Sequence, residues 1–305
     1  METKLMKAVA ARDREAGVNG ISLNELPYPQ AAENDVVVQV HAAGFLKGEP
    51  DWPVTWTDRA GRDRTPSVLG HEVSGVVVEL GYGTTGLSIG QRVFGLTDWA
   101  RNGSLAEYTA VEARNLAPLP ADIDHVTAAA VVMPGLTAWQ ALFDQAHLQA
   151  GQTVLVHGAG GSVGSVGVQL AREAGAHVIG TGRKAARDLA DSLGAHEFLD
   201  LDNDRLEDAG QVDVVFDVIG GEILNRSVAL LRPGGTLVSV AEPATTRPSD
   251  GRAIFFVVEP SREQLTQLAA RLRDGRLVPL VSRVRPLADA AAAFTDRGRS
   301  VITIT

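Results

Sequence analysis

The amino-acid sequence predicts an α/β protein in which a small β-rich domain precedes a parallel sheet covered by helices on both faces. The chain has 305 residues, which is enough for two domains of ordinary size. Short valine-rich runs separated by Gly, Pro and Asp fill the region up to about residue 125. Beyond it, short apolar runs alternate with helical stretches. This change in the sequence pattern is the main evidence for two domains.

The first region predicts a small barrel or sandwich, because short strands at close spacing are typical of those folds. Its strand candidates include residues 36–41, 73–80 and 92–96. The chain's last stretch returns to short β runs around a predicted helix at residues 287–296. We expect that stretch to rejoin the first domain.

The second region predicts a parallel sheet, since continuous apolar strands separated by helices indicate a sheet buried on both faces. The predicted strands are residues 153–157, 177–181, 212–217, 236–240 and 253–258. The predicted helices between them are residues 163–174, 184–193 and 222–231.

The composition excludes several classes of function. There is no cysteine, so the chain forms no disulfide, no thiolate metal site and no thiol nucleophile. The formal net charge of −9 disfavours binding to nucleic acid. The first eleven residues lack the apolar core of a signal peptide, and the apolar stretch 128–139 is broken by Pro134 and Gly135. We expect no membrane span and a cytoplasmic protein.

A glycine-rich turn follows the predicted strand 153–157 and opens the next helix, which is the context of a dinucleotide-binding fingerprint. Ala159 stands where the first glycine of that pattern is usual. Small residues let the backbone approach a pyrophosphate, and the free N–H groups of the helix start bind it. The predicted cofactor-binding residues of this turn are Gly158, Ala159, Gly160, Gly161, Ser162, Val163 and Gly164.

The next predicted strand ends in Gly182, Arg183 and Lys184, where an NAD site has an acid that holds the ribose hydroxyls. The acid is missing, and two cations could bind a 2′-phosphate instead. The sequence therefore predicts NADPH as the cofactor, bound in part by these three residues. Arg187 is a further candidate.

Several motifs in order resemble the medium-chain dehydrogenase/reductase superfamily, in its zinc-independent, quinone-oxidoreductase-like branch. They are Gly-His-Glu at residues 70–72, Gly-Gln-Arg-Val at 90–93, Ala-Glu-Tyr at 106–108, Gly-Leu-Thr-Ala at 135–138 and Arg-Pro-Gly-Gly at 232–235. The resemblance implies a GroES-like barrel domain of residues 1–125 and 276–305 and a Rossmann domain of residues 126–275. It also implies a homodimer joined through the last Rossmann strand, residues 253–258.

The resemblance also bears on metal binding, because zinc-dependent relatives place a ligand at the position of His71. Those relatives add cysteines, which this chain lacks. His41, Glu72 and Asp51 offer only an unusual set of ligands, so we predict no metal. We expect His71 to be a hydrogen-bonded structural residue and Glu72 to be a buried ion-pair or hydrogen-bond partner.

The predicted catalytic residues are Asp51, Tyr108 and Thr137. The family's Asn-x-x-Asp pattern is incomplete here: Leu46 stands near the asparagine, and Asp51 takes the aspartate's place with two extra residues between. Thr137 matches a threonine near the nicotinamide in the family, and Tyr108 is a candidate proton donor. The further predicted cofactor-binding residues are Asp217, Val218, Ile219, Val240, Ala241, Phe256 and Val257. We expect Phe45, Trp52 and Trp56 to form an apolar substrate wall.

The function predicted is an NADPH-dependent oxidoreductase that transfers hydride to a quinone or an α,β-unsaturated carbonyl, including an enoyl thioester, without zinc. A small carbonyl or quinone substrate and a second copy of the chain are the predicted partners. Two alternatives stay open: a zinc-type alcohol or aldehyde dehydrogenase, and a protein that binds NADPH without catalysis.

Overall fold

The computed structural model describes residues 4–304, and these divide into two compact units. The first contains residues 4–132, Pro260–Arg273 and residues 281–304, and we call it the barrel unit. The second contains Met133–Glu259 and Asp274–Leu280, and we call it the Rossmann unit. These divisions differ from the predicted domain boundaries, because the segment Pro260–Arg273 lies in the barrel unit.

The strands are numbered in chain order. In the barrel unit they are β1 Leu5–Ala11, β2 Ile21–Pro27, β3 Asp35–Gly44, β4 Ser67–Val68, β5 Glu72–Leu80, β6 Arg92–Leu96, β7 Tyr108–Glu112 and β8 Leu116–Pro118. In the Rossmann unit they are β9 Thr153–Val156, β10 His177–Gly182, β11 Glu197–Asp200, β12 Val212–Asp217, β13 Leu231–Ser239 and β14 Gly251–Phe255. The barrel unit ends with β15 Arg283–Pro286 and β16 Ser300–Thr303.

The helices are likewise numbered in chain order. They are α1 Pro53–Trp56, α2 His125–Trp139, α3 Ser162–Glu173, α4 Arg187–Ser192, α5 Gly221–Ser227, α6 Arg262–Arg273 and α7 Ala290–Ala293. A π-helix, Gln140–Gln145, directly follows α2. Short 3-10 turns precede or follow several of the others.

The barrel unit contains a seven-stranded sheet in the order β15-β16-β3-β5-β6-β8, with β7 paired to β3, and a three-stranded sheet in the order β2-β1-β4. Strand β16 pairs antiparallel with β3, so that Val301 lies opposite Gly44. The end of the chain therefore does return to the first β-rich region, as the sequence predicts. The buried valines of β3 and β5 form the centre of this unit's core.

The Rossmann unit contains one six-stranded parallel sheet in the order β11-β10-β9-β12-β13-β14. Read from the first strand, this is the order 3-2-1-4-5-6, which reverses direction between β9 and β12. Ligands of such sheets bind at the carboxyl ends of the strands beside that reversal. The predicted α/β class, with a GroES-like barrel and a Rossmann sheet, is confirmed. Strand β11 is the one member of this sheet that the sequence analysis missed.

The apolar stretch around Pro134 forms a helix, which corrects the expectation that Pro134 and Gly135 interrupt it. Helix α2 and the π-helix together cover the 21 residues His125–Gln145, and the most apolar 18-residue window of this segment has a mean hydropathy of 1.5. By length and composition this segment could cross a membrane, but 78% of its most apolar window is buried in the folded chain. Burial of this kind is typical of a core helix. Tertiary packing outweighs the backbone hydrogen bond that the proline removes.

Candidate functional site

The glycine-rich turn connects β9 to α3 and has the geometry that a bound diphosphate requires. Gly158 has φ of +66°, and a Cβ there would lie 2.8 Å from Cγ2 of Val218. A Cβ on Gly164 would lie 2.2 Å from the carbonyl oxygen of Gly158. Helix α3 begins at Ser162 without a side-chain cap, so the first N–H groups, including that of Val163, are left for a ligand.

The same turn is fixed against the end of β10. The Ala159 N–H donates to the Thr181 carbonyl at 2.9 Å, and the Ala159 side chain is fully buried. A Cβ on Gly160 would lie 2.4 Å from that of Ala186, which follows β10. The turn that would hold the diphosphate and the turn that would hold the ribose are therefore packed against each other.

Strand β10 ends in two exposed cations. Arg183 and Lys184 are both exposed, and neither side chain has an ion pair or a hydrogen bond within the described part of the chain. Arg187 differs from them, because it lies 3.5 Å from Asp204 and stacks over the ring of Phe198 at 5.1 Å. The arrangement leaves Arg183 and Lys184 available for an anion, as the sequence predicts. Arg187 is instead paired with Asp204 and stacked on Phe198.

A buried polar network lies beneath the glycine turn. His157 is fully buried, with Nδ1 at 2.8 Å from the Thr181 hydroxyl and Nε2 at 2.7 Å from the Ser227 hydroxyl. Ser227 donates its own proton to the Ile223 carbonyl, so it accepts from Nε2–H, and Nδ1 accepts from Thr181. Burial lowers the pKa of His157 to about 4, which keeps the ring neutral.

The other predicted cofactor residues lie at the ends of β12, β13 and β14. Asp217 is fully buried, and its carboxylate accepts from the N–H of Gly220 at 3.0 Å and from the Ser239 hydroxyl at 2.8 Å. Asp217 thus shapes the turn after β12. The remaining ones are partly or largely exposed at strand ends: Val218, Ile219, Val240, Ala241, Phe256 and Val257. Gly182 closes β10, and Thr137 is buried in α2.

In the barrel unit, Asp51 and Glu49 differ in their exposure to solvent. Asp51 is exposed at the end of a 3-10 turn. Glu49 is fully buried, and its carboxylate accepts from the N–H groups of Leu46 at 2.9 Å and Gly70 at 2.7 Å. Glu49 stands three residues after Leu46, which is the spacing of the family's Asn-x-x-Asp pattern. Glu49 is not among the predicted site residues, although this spacing could have identified it.

His71 lies among aromatic rings. It is 3% exposed, and its ring centroid is 4.8 Å from that of Trp99 and 6.3 Å from that of Trp52. Neither ring nitrogen has a hydrogen-bond partner among the described residues, and the nearest carboxylate oxygen, on Glu49, is 3.5 Å from Nδ1. This corrects the expectation of a hydrogen-bonded structural histidine. Trp99, which the sequence analysis did not select, accompanies Trp52.

Phe45 and Trp56 do not belong to an exposed wall. Both are about 95% buried in the core of the barrel unit, with 4% and 5% exposure. Only Trp52 of the three predicted wall residues is partly exposed. Tyr108, the candidate proton donor, begins β7 and packs against Tyr28 at 4.9 Å between ring centroids.

Comparison with known proteins agrees with this geometry. Residues 32–121 match the alcohol dehydrogenase GroES-like domain, and residues 193–297 match the zinc-binding dehydrogenase family. A quinone oxidoreductase of Pongo abelii is 30% identical over 319 residues, which cover 96% of this chain and 94% of that protein. The chain belongs to the medium-chain dehydrogenase/reductase superfamily. Within it, the chain falls in the quinone-oxidoreductase-like branch.

Two further relatives of this superfamily member extend the comparison. The NADPH-dependent alkenal/one oxidoreductase of Arabidopsis thaliana is 32% identical over 302 residues, covering 93% of this chain and 73% of that protein. The solved quinone oxidoreductase of Coxiella burnetii superposes with a TM-score of 0.89 at 27% identity, covering 99% of this chain and 100% of that one. Both of these relatives are named as oxidoreductases.

Some relatives are much longer proteins. The spectinabilin polyketide synthase system protein NorB of Streptomyces orinoci is 34% identical over 310 residues, covering 93% of this chain. The chain spans only 14% of NorB, and only 5% of the polyketide synthase GfsB of Streptomyces halstedii.

Zinc is a cofactor of part of this superfamily, and the residues present here do not fit it. No group of three His, Asp or Glu side chains gathers around a point anywhere in residues 4–304. Glu72, the neighbour of His71, forms a fully buried ion pair with Arg299, as the sequence analysis expected. A catalytic zinc needs three protein ligands. The carboxylate nearest to His71 in sequence, that of Glu72, is bound to Arg299 instead.

Proposed function

We propose that this medium-chain dehydrogenase/reductase transfers hydride from NADPH to a quinone or an α,β-unsaturated carbonyl, and that it works without zinc. The observation that carries the proposal is the pair of exposed cations Arg183 and Lys184 where an NAD site has an acid. The names of the relatives, quinone oxidoreductase and NADPH-dependent alkenal/one oxidoreductase, favour the same chemistry.

NADPH, when bound, would supply the hydride, and the chain's own residues would position it. The uncapped start of α3 would bind the diphosphate, while Arg183 and Lys184 would neutralise the 2′-phosphate. Conjugate reduction suits a site without a metal Lewis acid, because hydrogen-bond donors or water can stabilise the enolate oxygen. Asp51, Tyr108 and Thr137 stay predictions as catalytic residues.

The cofactor choice is tested by the double variant Arg183→Ala/Lys184→Ala. Each charge-assisted hydrogen bond contributes about 1.5–3 kcal/mol, so we expect NADPH affinity to fall about 10- to 100-fold or more. NADH affinity should change less than about threefold, because NADH lacks the 2′-phosphate. Fluorescence titration of both nucleotides measures this.

Arg187→Ala is the matched control for the double variant. Because Arg187 is paired with Asp204, its removal should change NADPH affinity less than about threefold. Equal loss of NADPH and NADH binding in the double variant would overturn the NADPH assignment.

The reaction is tested by stopped-flow oxidation of bound NADPH with a small quinone and a small enone. Oxidation that persists after dialysis against a chelator supports the zinc-free proposal. Activity with alcohols that disappears on chelation would instead support the zinc-type dehydrogenase. Stable NADPH binding without oxidation by any acceptor of the panel would support a non-enzymatic binder.

We also propose a cytoplasmic homodimer that pairs through β14. This strand lies at the edge of the Rossmann sheet, with Phe255 42% exposed and Val257, just beyond it, 62% exposed. Exposed apolar edges favour strand pairing. Light scattering of the wild type and of Val257→Lys tests the proposal, which fails if the wild type is monomeric at micromolar concentration.

A further inference from the structure

A cavity of about 420 Å³ lies within the barrel unit, apart from every nucleotide-binding residue proposed above. Residues from five stretches of the chain line it, including Arg64, Arg101 and Tyr108. None of its described lining residues is an aspartate or glutamate, although the chain as a whole has a net charge of −9. An acid-free cavity with two guanidinium groups is therefore a local exception to the acidic surface.

The two arginines of this cavity differ in their partners. Arg101 makes a two-point ion pair with the buried Asp35, with Nη1–Oδ1 at 3.0 Å and Nη2–Oδ2 at 2.5 Å, so its charge is neutralised. Arg64 has no carboxylate within ion-pair distance among residues 4–304. Arg64 is thus the cation of the cavity without a direct ion pair among the described residues, and Asp98 and Asp58 act on it only from a longer distance.

Arg64 uses only part of its hydrogen-bonding capacity. Its Nη1 donates to the carbonyl oxygens of Val54 and Trp99, the latter at 3.3 Å. Its Nε and Nη2, the edge that binds a carboxylate or phosphate at two points, donate to no described residue. The side chain is half-buried, and desolvation lowers the pKa of Arg64. A partly desolvated cation without a direct ion pair is costly, and a bound anion would offset that cost.

Other polar groups of the cavity are also free to donate. Asn102 Oδ1 accepts from the Val68 N–H at 3.2 Å, which leaves the Asn102 Nδ2 group without a described acceptor. The hydroxyl of Tyr108 makes no hydrogen bond with a described residue. The hydroxyl of Thr109, which is 2% exposed, likewise has no hydrogen-bond partner in the described part of the chain. Met6 and Val68 add apolar surface beside these donors.

We propose that this cavity binds the carboxylate or phosphate group of a small organic anion, with Arg64 as the charged contact. Tyr108 and Asn102 donate the neutral hydrogen bonds, and the apolar part of the ligand lies on Met6 and Val68. This cavity contains none of the residues proposed to bind NADPH, because those all belong to the Rossmann unit; it shares only Tyr108 with the predicted catalytic residues.

The test is calorimetric titration of the full chain with two probes, butyrate and inorganic phosphate, and it shows which of the two anionic groups the cavity prefers. We expect saturable binding of at least one probe. Arg64→Gln should weaken that binding about 10- to 100-fold, the effect of losing a charge-assisted contact.

Arg62→Gln is the matched control, because Arg62 is 80% exposed and paired with Asp58 at 2.8 Å. It should bind both probes like the wild type. Arg183→Ala/Lys184→Ala should also bind like the wild type, which separates this cavity from the nucleotide site.

Three outcomes would overturn the proposal: no saturable binding of either probe, wild-type affinity in Arg64→Gln, or loss of binding in Arg183→Ala/Lys184→Ala. If Arg64→Gln fails to fold because it loses the contacts to Val54 and Trp99, Tyr108→Phe replaces it. That variant removes one hydroxyl and should weaken binding about 2- to 10-fold. Unchanged affinity in Tyr108→Phe would then reject the site.

Discussion

The barrel unit buries a pair of opposite charges, whereas the Rossmann unit exposes two like charges at the end of β10. In the barrel unit, Glu72 and Arg299 are both buried and are paired with each other. In the Rossmann unit, the buried His157 stays neutral, while the cations Arg183 and Lys184 are exposed and have no ion pair with any residue from 4 to 304. The comparison indicates that a buried ion pair such as Glu72–Arg299 stabilises the fold. Cations without an ion pair, such as Arg183 and Lys184, instead mark a surface where we expect an anionic ligand to bind.

Breaking the buried pair gives the largest expected effect. Arg299→Met leaves the Glu72 carboxylate buried without its cation, so the free energy of unfolding should fall by about 3–5 kcal/mol. The variant also removes the hydrogen bond from Arg299 to the Phe45 carbonyl, at 2.9 Å. Denaturant unfolding measures the change. Arg59→Gln is the control, because Arg59 is paired with Asp98 while its side chain stays 78% exposed. This substitution should lower the free energy of unfolding by less than about 1 kcal/mol. An equal decrease in the free energy of unfolding for Arg299→Met and Arg59→Gln would contradict the idea that the buried pair is the more important one.

Acid should destabilise the Rossmann unit through His157. Its pKa is about 4 in the folded chain, whereas the ordinary value of histidine is 6.5, so the unfolded chain takes up the proton first as the pH falls. The stabilisation is fully present above pH 6.5 and is lost as the pH falls towards 4, by on the order of 3 kcal/mol.

Unfolding curves between pH 7 and pH 4.5 test this on the wild type and on His157→Gln. The variant should show a shallower pH dependence than the wild type. His147→Asn, which changes an exposed histidine, should keep the wild-type slope. Identical slopes in all three proteins would show that His157 does not titrate in this way.

The smallest expected effect concerns the glycine turn, where close packing rather than charge is at stake. Gly164→Ala would place a Cβ 2.2 Å from the Gly158 carbonyl oxygen, so either the helix or the turn must move. Overpacking of this kind costs about 1–3 kcal/mol, and displaced N–H groups should also weaken NADPH binding. In Gly161→Ala the same oxygen is 3.2 Å from the new Cβ, so that variant should be milder in both measurements. The opposite order would contradict the packing argument.

Much of the fold follows from local pattern, because the buried strands of a parallel sheet are continuous apolar runs. The strands Arg92–Leu96 and Val212–Asp217 have the bounds that the sequence predicts. Strand β11 has only four residues, two of them acidic, and so gives no apolar signal. Helix α2 continues through Pro134 because its surroundings bury it, and a local pattern cannot show what surrounds a segment.

The candidate site was predictable where its residues are close in sequence. The glycine turn, Arg183 and Lys184 all belong to one strand–turn–helix unit and its neighbour. Arg299 was not predictable as the partner of Glu72, because the two are 227 positions apart and only the pairing of β16 with β3 brings them together. Similarly, the missing partners of His71 and Arg64 are properties of their surroundings rather than of any motif.

The pairing of Val301 with Gly44 has a consequence for the order of events during synthesis. At roughly 5–20 residues per second, a ribosome needs about 10–50 s to make the chain between these two positions. Until then β3 lacks its pairing with β16, and Glu72 lacks its cation, Arg299. The parallel sheet, whose strands lie between Thr153 and Phe255, is complete earlier. The domain that begins first on the ribosome is therefore the one that finishes last.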